Sequence, residues 1–596
     1  MPIESPLANK VSLAPVDLVI IGVYLACIIA MGFWVKKRAT QGLASYFLAG
    51  RSIPWWMLGL SGCSSYIDIG GTMAMVGCLY YLGLKGLWAT HIWWGWFIIC
   101  FYMAFQAKWI RRSGVMTFPE WNQTRFGTGR GVESARAAAS TFLLLLMIFN
   151  LMYIAVGVGK FAEKFLPLPR WQSALLVFAS VGLYVTAGGF FGVIYTDMLQ
   201  TALIAVGAVI LAFMVFGDPA TADFAAQKPE AWTSLAPTWT LWDGFLNETP
   251  ESYQHFYPLG PVLLASSFWC LFRVLAGPNV WDFQFFLTTR SPRDAALAAG
   301  TWTVGYSLRW IIGCAFLVLG ITYLGPSAAQ DAENIIPLVL GKLGLGVRGL
   351  FLAILLAALM STLDAMINVT SSVITNDFLG RYFARRSSEK ALVRIGQIAS
   401  VGALILAFVI SLAFKDVVEI WETMIFSIVT IILVPATFRW HWWRFGPLGF
   451  VWGMAGSVCV ILLQKLLWPD LSPHGALAVD TAGCLAVTLV AGLLTPPAPM
   501  DVLVRFYARI RPFGFWGPVR KAAVEQGLVP AGDRMPAIDA LNGILTMVFQ
   551  FALAAIPFCA ILRLWPQALS WAVVMAVLAV VLYFTWYRNL PSREET

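Results

Sequence analysis

Residues 352–379 read LAILLAALMSTLDAMINVTSSVITNDFL. The stretch is long and apolar enough to cross a bilayer. Yet its middle carries Ser361, Thr362, Asp364, Asn368, Thr370, Ser371 and Ser372. On a helix, Ala358, Ser361, Thr362, Ala365 and Ser372 fall near i, i+3, i+4, i+7 and i+14, and so share one face. Hydroxyls beside a carboxylate supply the oxygen ligands that a small hard cation prefers. A carboxylate at bilayer depth is costly, so Asp364 needs a cation, a donor or water beside it. The competing explanation is packing, because Ala, Ser and Thr let membrane helices approach closely.

Two other apolar runs are interrupted by polar or helix-breaking residues. LSGCSSYIDIGGTMAMVGCLYYLG (60–83) has Gly62, Asp68, Gly70, Gly71 and Thr72 at its centre. Paired glycines and a cap-type Asp are signals for breaking a helix. SSFWCLFRVLAGPNVWDFQFFL (266–287) is interrupted at Gly277-Pro278-Asn279, where Pro removes a backbone donor and clashes with the preceding turn. The two runs are five spans apart. Interrupted spans at corresponding places in two halves point to the central site of a transporter, and an odd offset gives the halves inverted topology. Independent kinks are the simpler alternative.

The elements that must position these residues are membrane helices. The chain has 596 residues, 59% hydrophobic and only 12% charged, against about 25% charged in soluble domains. Long apolar runs occur at 15–34, 52–82, 86–108, 138–163, 171–189, 193–217, 259–287, 297–324, 345–378, 396–414, 417–438, 446–466, 476–495, 539–563 and 568–587. They predict an all-α polytopic membrane protein of about fifteen transmembrane helices. The first run lacks a basic leader and an A-x-A site, which reads as a retained span rather than a cleaved signal. Basic clusters at 36–38, 108–136, 290–293, 381–394, 439–444, 505–521 and 588–593 then fall on one side, while 218–257 is acidic. The positive-inside rule predicts an outside N-terminus and a cytoplasmic C-terminus. The net charge of +9 therefore belongs to loops beside spans, and nucleic-acid binding is not expected. The segment 496–538 interleaves basic and aromatic residues, as an amphipathic element on the inner membrane surface would; an ordinary solvated loop is the alternative.

Other chemistries are poorly supported. The nine cysteines all lie in apolar stretches without metal-type spacing. The four histidines, His91, His255, His441 and His474, form no H-E-x-x-H. Gly344-Leu-Gly346-Val-Arg-Gly349 matches a dinucleotide Gly pattern but follows no strand and opens a span. No soluble catalytic module is expected, and the protein is not predicted to be an enzyme.

Three segments carry a family resemblance. SYFLAGRSIPWWMLGLS (45–61) resembles the opening signature of the sodium:solute symporter family, GGFFGVIYTDMLQ (188–200) its lead into the fifth core helix, and LAALMSTLDAM (356–366) its eighth core helix. The resemblance runs from about residue 15 to 445. It implies a LeuT-type five-plus-five inverted repeat and alternating access. The implied division is 1–51 for the N-terminus and first peripheral helix, 52–217 for the first half, 218–258 for an extracytoplasmic loop, 259–438 for the second half and 439–596 for peripheral helices.

The resemblance also implies sites. One sodium ion would be held by the carbonyls of Ser64 and Ile67, the carbonyl of Ala358 and the hydroxyls of Ser361 and Thr362. A second would use Asp197, and there this sequence departs from the family by carrying Asp364 and Ala365 where hydroxyls are expected; Asp364 would hold a cation, exchange a proton or pair with Arg309. Sugar-transporting members use positions that here are Gly71, Thr90 or His91, Asn279, Arg309 and Trp421, so their pattern is not preserved. Trp93, Trp281 and Trp421 suggest an aromatic pocket with one cation, Arg309. Arg309 could grip a carboxylate through a bidentate fork or pair with Asp68 or Asp282. The function implied is sodium-coupled symport of a small organic solute, either a sugar or a carboxylate or amino-acid-like compound. The location implied is a bacterial inner membrane, with the solute, Na+ and lipid as partners. A proton-coupled symporter of the same fold and a transporter-like sensor are the alternatives.

Overall fold

The computed structural model describes residues 13–163, 165, 168–222, 228–277, 280–325, 328, 332–383, 387–414 and 423–592. The expected solute residues Asn279 and Trp421 lie outside them, as does the side chain of Trp281. All regular structure among the described residues is helical, apart from one isolated bridge between Trp442 and Phe515.

Among the described residues, ten helices are long and apolar enough to cross a membrane, or eleven if the bent pair Trp55–Ser64 and Ile69–Trp93 counts as one span. The sequence predicted about fifteen. Part of the difference is one helix that spans two expected segments. Arg170–Gly217 runs for 48 residues, or about 72 Å if straight, against a hydrocarbon core of ~30 Å. It is not straight. Gly189 has φ +50° and ψ −148°, a conformation essentially reserved for glycine, and the helix divides there into two legs. Other expected spans are assembled from short pieces: 86–113 alternates α-helix with wide π-type turns, and 259–288 is split into Leu259–Leu275 and Val280–Thr288.

Burial separates centre from periphery. The best spanning window of Val347–Arg381 is 89% buried, whereas those of Pro15–Ala39 and Trp565–Asn589 are 22% and 11% buried. The peripheral helices therefore turn apolar side chains such as Trp34, Leu569 and Val577 outward, as a lipid-facing surface requires.

The central helix is anchored at its start by a neighbour. Gly346 and Gly349 donate their amides to Asp17 Oδ1, both at 2.9 Å. Asp17 belongs to the Pro15–Ala39 helix, so a carboxylate from one span caps the positive end of another.

The 496–538 segment forms short helices rather than a simple loop. Met500–Ile510 is an amphipathic helix, but Leu503, Val504, Phe506, Tyr507 and Ile510 are buried against the protein itself. Phe506 meets Trp121 edge-on and stacks on Trp516. The Arg125 guanidinium lies 4.9 Å from the Trp516 ring. Buried aromatic and arginine surface on the core thus supplies the apolar partner that sequence alone would assign to lipid.

Gly189 gives a direct check on the two-legged helix. A Cβ there would sit 2.6 Å from the Tyr46 carbonyl oxygen, whereas one at Gly157 would meet nothing within 4 Å. Gly189→Ala should destabilise by roughly 2 kcal/mol or more, from strain and displacement of Tyr46 together. Gly157→Ala should be neutral or mildly stabilising. Thermal unfolding in detergent, followed by loss of helical dichroism, distinguishes the two.

Candidate functional site

The break in the first interrupted span produces the site. Trp55–Ser64 ends, the chain turns through Ser65–Asp68, and a new helix starts at Ile69 with a 62° bend between the two. The Ile67 amide donates to the Ser64 carbonyl at 2.9 Å. Asp68 caps the second helix by accepting the Gly71 amide. Tight turns and a capping carboxylate satisfy part of the backbone, but a helix broken in apolar surroundings still needs polar partners for its freed groups.

The central helix supplies them. Ser361 donates its hydroxyl to Ser64 Oγ at 2.8 Å and lies 3.4 Å from Ser65 Oγ. Thr362 Oγ1 donates to the Ser65 carbonyl at 2.9 Å and to the Ala358 carbonyl at 3.2 Å. Ile67 and Ala358 are buried beside them. Ala358, Ser361 and Thr362 of the central helix are therefore brought against Ser64 and Ser65 at the helix break, with Ile67 two residues further along the turn.

Next to this lies a cluster with carboxylates. Ser61 donates to Asp197 Oδ2, and Ser361 also neighbours that carboxylate. Tyr184 donates to Asp364 Oδ2 at 2.6 Å. Gln200 donates to the Tyr24 hydroxyl at 3.1 Å, and Tyr24 faces Met360 Sδ at 3.8 Å. Asp197 Oδ1, Asp364 Oδ1 and Gln200 Oε1 are buried acceptors without a hydrogen-bond partner among the described residues. Unsatisfied acceptors of one kind, two of them from carboxylates, make a place where a cation would be stabilised. The alternative pairing of Asp364 with Arg309 is not seen, since Arg309 takes Asp68 instead, at 3.8 Å. Asp282, the other acid considered for Arg309, accepts from the hydroxyls of Tyr66 and Tyr102.

Above the break is a cavity of about 150 Å³, room for about five waters at ~30 Å³ each. Gly71 and Arg309 line it, as expected, and so does Trp93. Thr90 and His91 are not among its lining residues. They sit in a wide turn, Ala89–Trp93, with both side chains buried elsewhere. Thr90 donates to the Leu87 carbonyl at 2.9 Å; His91 Nδ1 lies 2.8 Å from the same carbonyl, and its ring stacks on Trp310. Sequence reasoning did not assign Asp68, Trp96, Tyr153, Tyr253, His255 and Glu333 to this wall. Tyr253 and His255 come from the loop before Leu259, where no periodicity marks a residue as inward-facing.

An all-helical membrane protein with a broken helix, a nest of neutral oxygens at the break and a small cavity above it is a secondary transporter rather than an enzyme. Residues 46–456 match the sodium:solute symporter family, and the chain belongs to that family of sodium-coupled transporters. It is 27% identical over 563 residues to sodium/glucose cotransporter 4 of Danio rerio, covering 83% of this chain and 81% of that one. It is 26% identical over 428 residues to the sodium/glucose cotransporter of Vibrio parahaemolyticus, covering 66% and 74%. The fold is similar to that of a Na+-coupled sialic acid symporter solved substrate-bound and outward-open, with a TM-score of 0.63 and 20% identity over 81% of this chain and 98% of that one. The fold is LeuT-like.

The Tyr184–Asp364 contact is open to a double-mutant test. Tyr184→Phe removes the hydroxyl that donates to a buried carboxylate and should cost about 1–3 kcal/mol of stability. In an Asp364→Asn background the same change should cost clearly less, because the charge that needed the hydroxyl is gone. Equal losses in both backgrounds would mean that the tyrosine acts only by packing.

Proposed function

We propose that one sodium ion binds where the central helix crosses the break, held by the carbonyls of Ser64, Ile67 and Ala358 and by the hydroxyls of Ser361 and Thr362. A second cation sits between Asp197 and Asp364, and the solute occupies the cavity lined by Gly71 and Arg309. The observation that carries this reading is the pair of bonds from Ser361 to Ser64 and from Thr362 to Ser65. They lay two hydroxyls of one helix onto the interrupted backbone of another. A sodium ion entering there exchanges part of its water shell for these oxygens and ties the two elements together.

Coupling follows from that tie. The segment that carries the first cation site continues directly into Asp68, Gly70 and Gly71 of the cavity wall. An ion that orders the break therefore pre-organises the solute site, and solute binding in turn favours the ion-bound state. Asp364 gives the second site a formal charge that neutral hydroxyls would lack. Two carboxylates with few donors raise affinity for a cation by electrostatic attraction.

In this reading the halves are 52–217 and 259–438, with 218–258 as an extracytoplasmic loop and 439–596 peripheral. The N-terminus is outside, the basic loops are cytoplasmic and the protein resides in a bacterial inner membrane. The loop supports the assignment by its contacts: Trp232 Nε1 donates to the Tyr80 carbonyl at 2.9 Å, and Lys85 Nζ to the Ala231 carbonyl at 2.7 Å. These bonds fix the loop against the end of the helix that leads away from the break. Rocking of the core then exposes the cavity to one side or the other. Named relatives that carry glucose make a compact polar organic solute the natural cargo.

Thermal unfolding of the purified protein, titrated with sodium against potassium at constant ionic strength, checks the first site. Wild type should be stabilised by sodium in a saturable way. Ser361→Ala and Thr362→Ala each remove one oxygen ligand and should raise the half-saturating sodium concentration about tenfold, or ~1.4 kcal/mol. Identical curves in the two salts, or variants with unchanged midpoints, would remove sodium from this position.

A further inference from the structure

The charges around the cavity narrow the class of solute, on the reading that the cavity is the transport site. Arg309 is 2% exposed. Its guanidinium lies over the Trp96 ring at 4.3 Å from the centroid. Nη1 is occupied, donating to the Tyr66 carbonyl and to the Tyr306 hydroxyl. Nε and Nη2 have no hydrogen-bond partner among the described residues. These two nitrogens form one edge of the guanidinium, the two-donor fork whose spacing matches the two oxygens of a carboxylate.

The resident acid does not fill that fork. Asp68 Oδ2 is 3.8 Å from Nη2, near enough for charge attraction and too far for a hydrogen bond. Its other oxygen is engaged as the cap of the following helix. The fork also depends on the absence of a side chain at Gly71, where a Cβ would run into Nη2. Buried donors left unpaired are costly, so this edge is set up for a ligand.

The rest of the wall has the opposite sign. Glu333 accepts from Tyr253 at 2.8 Å. His255 adds no charge near neutral pH, because burial pushes its pKa down to about 4. Among the described residues the wall thus carries one cation, Arg309, and two acids, Asp68 and Glu333. A simple carboxylate would gain the fork but also meet the like charges of Asp68 and Glu333, which repel it. A neutral polyol could hydrogen-bond to these groups but would leave their formal charges uncompensated. The faces of Trp93, Phe256 and Phe426, also on the wall, suit a cationic nitrogen.

We propose that the transported solute is a compact zwitterion, with its carboxylate on the Nε–Nη2 edge of Arg309 and its cationic nitrogen turned toward Asp68, Glu333 and the aromatic faces.

The test is thermal unfolding of the full-length protein in saturating sodium with the protein amino acids, glycine betaine, propionate, glucose and myo-inositol. At least one amino acid or betaine should raise the midpoint. The methyl ester of that compound and, where it is an amino acid, its N-acetyl form should each bind about 30-fold more weakly. Arg309→Lys, which keeps the charge and loses the fork, should weaken the zwitterion at least tenfold while sodium alone still stabilises the protein. Gly71→Ala, which crowds Nη2, should weaken it as well and serves if Arg309→Lys fails to fold. A response to glucose, myo-inositol or propionate in place of every zwitterion overturns the proposal. So does an ester that binds as well as its parent acid, or silence from all zwitterions. A zwitterion response that persists when potassium replaces sodium counts against sodium coupling and leaves the solute class standing.

Discussion

A helix cannot be interrupted within apolar surroundings unless its freed backbone groups find partners, and the rest of this structure follows from how that demand is met. The break at Ser65–Asp68 is served from within by tight turns and the Asp68 cap, and from outside by Ser361 and Thr362. Because those hydroxyls must arrive at bilayer depth, they stand on the most deeply buried of the described spanning helices. That helix is in turn held at its start by Asp17 from a peripheral span. Polar contacts thus hold the central helix both at its start and at the break, each placed where an unpaired group would be expensive.

The same interrupted element joins two kinds of chemistry. On one side of the turn lie neutral oxygens and, just beyond, the carboxylates of Asp197 and Asp364. On the other lie Asp68, Gly71 and Arg309 at the cavity wall. Little more than one helical turn separates Ser64 from Asp68, so order at one side is felt at the other without a long relay. The outer loop completes the wall through Tyr253 and His255, and its bonds to the 80–85 turn hold it in register with the second part of the broken helix.

Much of this was legible in the sequence, for reasons tied to particular residues. Ser361 and Thr362 stand out because hydroxyls at helical spacing are conspicuous in an apolar run. The glycine pair and Asp68 mark the break itself, whereas Ser64 and Gly71 as ligand positions come from the family resemblance. Arg309 is visible because a charge within a span demands a partner. What was not legible depends on rotation and on loops. Residues 89–93 form a wide turn, and one extra residue per turn rotates the face by about 100°; Trp93 and Trp96 reach the cavity while Thr90 and His91 turn into the core. Tyr253, His255 and Glu333 lie outside the long helices, where no period reports direction. The apolar face of Met500–Ile510 was visible as a pattern, but a pattern does not say whether protein or lipid covers it.

Hydrogen exchange of the backbone amides, compared in sodium and in potassium, tests the central claim most directly. If sodium binds where the central helix crosses the break, segments 61–72 and 356–366 should exchange more slowly in sodium, and the difference should vanish in Ser361→Ala. Identical exchange of these two segments in both salts would contradict the account.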